Sequence, residues 1–93
     1  MDRNDVAKEI DELKEISTHL SNMSVDNDYH FLLEILTPTE ISTLTKRWRI
    51  LKMLKEGYSQ REIAKELNVS LCKVTRGSKI LKNTQSICSK LIK

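Results

Sequence analysis

Chain breakers are scarce in this sequence. Its 93 residues include one proline and two glycines. No stretch alternates polar and apolar residues over a useful length, so a sheet protein is a poor reading and nearly every segment is a helix candidate. Aromatic residues make up only 4%. Few large side chains are therefore available to fill a core, and chains of this size often complete their burial by association. Two cysteines, Cys72 and Cys88, are too few and too far apart for a zinc cluster or a disulfide framework. Reduced thiols and no metal site are expected. No apolar run approaches the roughly 20 residues of a membrane span. The N-terminal MDRNDVAKEIDEL is acidic and lacks a signal-peptide core. The expectation is a cytoplasmic protein without a membrane partner. His19 and His30 lie in an acidic arm with no nucleophile or paired acid and base beside them, so no enzymatic activity is expected.

What is present is charge, unevenly placed. Residues 1–40 carry ten acids against three bases, net −7; residues 41–93 carry thirteen bases against three acids, net +10, which leaves +3 for the chain. A half this basic favours a polyanion, because each neutralised phosphate releases counterions.

Periodicity and caps divide the chain into helices. Val6, Ile10, Leu13, Ile16 and Leu20 predict one apolar stripe on a helix from about Asp5 to Leu20. Residues 21–27 read as a polar loop. A short helix over about Asp28–Leu36 is apolar nearly all round, which calls for burial on several sides and favours a dimer. Thr37-Pro38-Thr39-Glu40 is a capping box with proline at the first helical position. The helix it opens has Ile41, Leu44, Trp48, Leu51 and Leu54 or Lys55 as its core stripe, and Lys46, Arg47, Arg49 and Lys52 on its other face. Gly57 suits a left-handed stop. Ser59-Gln60-Arg61-Glu62 is a second capping box, opening a helix that ends near Leu67. Asn68 suits a left-handed turn. Ser70 caps a helix from Leu71 to about Lys82, and a last helix covers about Gln85–Ile92.

Two short helices across a tight turn form a helix-turn-helix when a few buried residues lock them and a small residue marks the crossing. Ile63, Leu67, Val69 and Val74 supply the wedge, and Ala64 the crossing. Gln60, Arg61, Leu71, Cys72, Lys73, Thr75 and Lys82 remain outside as candidate DNA contacts. Arg suits guanine, Gln suits adenine, and short or apolar groups permit close approach. Gly77 falls where the second helix should dock. It costs about 1 kcal/mol against alanine in a helix interior. It marks either a tolerated kink or close approach of another group.

The runs LTPTEISTLTKRWRILKML and SQREIAKELNVSLCKVTRGSKILK resemble the Trp repressor family. The specific part is TRGS at Thr75–Ser78, with SQRE at Ser59–Glu62 and LTP at Leu36–Pro38. The resemblance implies an all-α fold, six helices per subunit with a helix-turn-helix, in an interlocked homodimer. It implies one domain over 1–93, with core and dimerisation helices in 1–58, the helix-turn-helix in 59–82 and a C-terminal helix in 83–93. It further implies L-tryptophan as corepressor, held between the reading head of one subunit and the central helices of the other. Arg47 and Arg76 would flank the indole, and Arg76 would also take the carboxylate, with Thr37 nearby. The backbone carbonyls of Glu34 and Leu36 would receive the ammonium, and Gly77 would let the indole approach. Ile80 stands where the family usually bears a small or hydroxyl residue near that ammonium, and Ala64 where it bears a lysine. The turn before Ser59 is one residue shorter than in well-known members.

The function so implied is a DNA-binding transcriptional repressor, activated by L-tryptophan, acting on a palindromic operator of genes for tryptophan biosynthesis or uptake. Two other readings stand beside it. One is a regulator of the same fold that uses another ligand or none. The other is a dimeric helical adaptor whose basic half binds an acidic protein.

Overall fold

Side-chain caps fix where the helices begin. A computed structural model of the chain describes residues 3–92, the side chain of Arg3 excepted. Asp2 and Lys93 of the charge count lie outside the described residues. Among the described residues there are six helices and no strand: α1 Arg3–Asn22, α2 Val25–Ile35, α3 Pro38–Lys55, α4 Gln60–Leu67, α5 Leu71–Lys82 and α6 Ile87–Leu91. The hydroxyls of Ser24, Ser59, Ser70 and Ser86 accept from the backbone N–H groups of Asn27, Glu62, Lys73 and Ser89. Each such cap is worth about 1 kcal/mol.

Two boundaries differ from the sequence reading. The polar loop expected over 21–27 is mostly helix, because Ser24 caps α2 and puts Asp26 and Asp28 in its first turn, where the helix dipole favours acids. The last helix starts later than expected. Asn83 Oδ1 accepts from Gln85 N at 3.0 Å, a local turn that holds back helical geometry until Ser86.

The stops follow backbone rules. Gly57 has φ +99°; its N–H donates to Leu54 O, and Tyr58 N–H donates to Met53 O. That pair of bonds is a Schellman stop. Asn68 has φ 53° and ψ 51° and repeats the pattern, with Asn68 N–H to Lys65 O and Val69 N–H to Ala64 O. Asparagine is among the few non-glycine residues that tolerate this region.

The described chain forms two compact units, divided after Thr37. The first holds α1 and α2. No residue of 4–37 is buried, and Val6, Ile10, Leu13, Tyr29, Leu33 and Ile35 are all exposed. The second unit holds α3 to α6 and the buried core. Ile50, Ile63, Leu67 and Val74 cluster there, with Met53, Leu54, Ala64 and Val69 packed against them. Ile63 and Val74 are fully enclosed. The predicted wedge between α4 and α5 is thus present, with Ala64 at the crossing.

The inner face of α3 differs from the expected stripe. Ile50 and Leu51 are buried, whereas Leu44 and Trp48 are exposed. Leu51 and Leu54 of the expected stripe do face the core, but apolar residues also lie at 50 and 53, so two overlapping stripes compete. The one that meets α4 and α5 wins. Gly77 marks the α3–α5 contact. A Cβ placed on it would come within 2.9 Å of Ile50 Cγ2 and 3.4 Å of Leu51 Cδ2. The close approach foreseen at this glycine is therefore made, within the chain, by α3.

Candidate functional site

Between α3 and α5 lies a cleft of about 320 Å³. From α3 come Leu44, Arg47, Trp48, Ile50 and Leu51; from α5 come Lys73, Arg76, Gly77 and Ile80, with Cys88 of α6 at the edge. Gly77 lets α5 settle on Ile50, and both residues line the cleft. Its lining is mainly apolar. Its only charged groups are cationic: Arg47, Lys73 and Arg76. An apolar slot with guanidinium groups suits a flat ring that carries a carboxylate.

Four of the seven predicted ligand residues, Arg47, Arg76, Gly77 and Ile80, thus line one cleft. Ile80 is half-buried there and offers no polar atom beyond its backbone. Glu34, Leu36 and Thr37 belong to the other compact unit. Leu36 ends α2, and its N–H donates to Leu32 O.

The outer face of α5 forms a shallow groove of about 580 Å³, lined by Cys72, Thr75, Arg76, Lys79, Ile80, Asn83 and Ser86. Positions 72, 75, 76, 79 and 83 repeat at helical spacing and make one surface. Cys72 is a free, exposed thiol. Thr75 donates its hydroxyl proton to Gln60 Oε1 at 2.9 Å, so two predicted DNA residues from different helices are joined. Leu71 is 46% exposed, and Arg61 and Lys82 are exposed. Lys73 is exposed too, but it lines the cleft beside Arg47 and not the groove. Lys79 and Asn83 escaped the sequence reading. The signal was available, since both continue the face that holds Cys72 and Thr75.

Arg76 lines both the cleft and the groove. One residue therefore borders both the apolar cleft and the surface groove of α5. The end of α5 is pinned from α6: Ser86 Oγ donates to Ile80 O at 3.0 Å and Ser89 Oγ to Leu81 O at 3.2 Å. Among the described residues, no group of His, Cys, Asp and Glu could hold a metal ion, and no helix is long and apolar enough to cross a membrane.

Comparison with known proteins agrees with the all-helical fold. The family model described as Trp repressor protein matches residues 8–93. A Trp operon repressor homolog of Vibrio campbellii (strain ATCC BAA-1116) is 43% identical over 67 residues, covering 69% of this chain and 67% of the relative. A protein of the same name from Vibrio parahaemolyticus serotype O3:K6 is 42% identical over 67 residues, covering 69% of this chain and 65% of the relative. One from Xylella fastidiosa (strain M23) is 44% identical over 54 residues, covering 56% and 59%. The matched stretch thus spans about two thirds or less of these relatives' length.

Proposed function

Because this chain belongs to the Trp repressor family, we propose that it is a sequence-specific transcriptional repressor whose DNA binding is switched on by L-tryptophan. The observation that carries this reading is Arg76, which lines the ligand cleft and the reading face at once. A ring seated in the cleft rests against Ile50, Leu51 and Gly77. Its carboxylate is held by Arg76, and Arg47 stacks from α3. Thr37 and the carbonyls of Glu34 and Leu36, supplied by a second copy, complete the site at the ammonium.

The homodimer is proposed on the same footing. Val6, Ile10 and Leu13 of α1 and Tyr29, Leu33 and Ile35 of α2 are apolar and exposed. Leaving such surface in water forfeits about 25 cal/mol for each Å². A second copy that interlocks with the first removes that cost. Two reading heads then face DNA together, and helix-turn-helix dimers set them about 34 Å apart, one helical turn.

The switch is a population shift. Without ligand, α5 samples orientations that do not fit successive major grooves. Ligand binds the fitting orientation more tightly and raises its share, and its whole effect is that difference in affinity. At the operator, Gln60, Cys72 and Thr75 approach base edges, while Arg61, Lys73 and Lys82 serve phosphates. The corepressor acts by shape and charge, not as a catalytic cofactor, and the protein is a regulator of tryptophan biosynthesis or uptake genes.

A gel shift on a palindromic operator, with and without L-tryptophan, tests the reading. Retardation that requires tryptophan is expected. Retardation that tryptophan leaves unchanged selects a regulator with another ligand or none. No retardation in either lane selects an adaptor for an acidic protein.

A further inference from the structure

A second, smaller recess of about 210 Å³ lies on the other side of Arg47. It is built from the first half of α3 and the turn that joins α4 to α5. Its character is the reverse of the cleft. Thr39 and Ser42 bring hydroxyls, Asn68 an amide, and Lys46, Arg47 and Lys73 three cations; no acid lines it. The turn places Asn68 there through its left-handed backbone, and the first turn of α5 places Lys73.

Two details set this apart from an ordinary basic surface. Lys46 is half-buried and, among the described residues, makes no ion pair. Its ammonium lies in a recess whose other charged groups are also cations, so an anion there would relieve like-charge repulsion. The neighbouring hydroxyls are also divided in use. Thr43 Oγ1 already donates to Thr39 O at 3.0 Å, which leaves Thr39 and Ser42, both lining the recess, to supply its hydroxyl donors.

We propose that this recess is a phosphoryl-oxyanion site. Three positive side chains, two hydroxyl donors and a carboxamide match the acceptors of one phosphate group. The group comes from a phosphodiester of bound DNA or from free phosphate; the chemistry of recognition is the same. Arg47 and Lys73 line this recess and the apolar cleft alike, so an anion here and a carboxylate there draw on shared cations. The DNA source rests on the repressor reading, whereas the free-phosphate source does not.

The test begins with inorganic phosphate titrated into the full chain, followed through backbone amide resonances, against chloride at matched ionic strength. Saturable shifts confined to 39–47 and 68–73 are expected with phosphate alone. Lys46→Ala, and Lys46→Gln as the milder change, should weaken phosphate binding roughly tenfold, the equivalent of one charge-assisted hydrogen bond. The same variants are then read by operator affinity against salt. A slope smaller in magnitude by about 1 assigns the site to a DNA phosphate; an unchanged slope with weakened phosphate binding assigns it to the free ion. Absence of saturable shifts in the unsubstituted chain overturns the proposal, as do shifts that both variants leave intact. A chain that fails to bind operator while phosphate still saturates the recess defeats the repressor reading and not this one.

Discussion

Thr75 and Gln60 are joined by a hydrogen bond of 2.9 Å, fifteen residues apart in sequence. The bond ties the first turn of α4 to the middle of α5, and it uses the carbonyl end of the Gln60 amide. The NH₂ end stays available to an acceptor outside. Gln60 is therefore oriented before any base arrives. Thr75→Val keeps the shape and removes the donor. Stability should fall by about 1 kcal/mol, measurable by urea unfolding. Operator affinity should fall more than affinity for random DNA, because a freely turning Gln60 no longer presents one face; equal losses would contradict this orienting role.

Gly77 offers a test of close packing. An added methyl meets Ile50 Cγ2 at 2.9 Å, so something must shift. Helix propensity alone predicts a gain of about 1 kcal/mol for Gly77→Ala. Overpacking typically costs about 1–3 kcal/mol and should outweigh it. Net destabilisation and a weakened tryptophan response are expected in thermal unfolding and calorimetry. A more stable variant with normal ligand binding would show that α3 and α5 have slack at this point.

Arg76 lines both the cleft and the groove of α5. Arg76→Ala should abolish the tryptophan response while sparing most affinity for non-operator DNA. Parallel loss of both, measured by fluorescence anisotropy of labelled DNA with and without tryptophan, would place Arg76 among general phosphate contacts.

Ile80 fills its part of the cleft without a polar group. Ile80→Ser adds a hydroxyl that can accept from an ammonium. It should favour tryptophan over the same indole acid lacking the amine by roughly fivefold, the worth of one ordinary hydrogen bond of about 1 kcal/mol. Competition calorimetry with the two ligands measures the ratio, and an unchanged ratio would mean that the ammonium points away from position 80.

Much of this architecture can be read from the residues, because its punctuation is local. Ser59 and Ser70 cap their helices, Gly57 and Asn68 stop theirs, and Ile63, Leu67, Val69 and Val74 pack as the helix-turn-helix pattern requires. The cleft was legible in part: Arg47, Arg76, Gly77 and Ile80 meet there. Ile50 was not foreseen, although it is the residue against which Gly77 fits. Periodicity cannot choose between two apolar stripes on α3 when the choice depends on which helices arrive from later in the chain. Ser24 is not legible as a cap, because a capping serine inside a polar run looks like any other loop serine. Lys79 and Asn83 carry no motif of their own; only the helical repeat from Cys72 and Thr75 puts them on the same face. The polar recess was missed for a different reason: Thr39, Ser42 and Lys46 become neighbours of Asn68 and Lys73 only through tertiary folding.

The position of Arg47 constrains how such a molecule can change over generations. One guanidinium borders a greasy slot and a hydrophilic hollow together. Lengthening, shortening or neutralising it to suit one neighbour perturbs the other. Descendants that drift toward a new effector would therefore find easier routes through Leu44, Trp48 or Ile80, which border the slot but not the hollow.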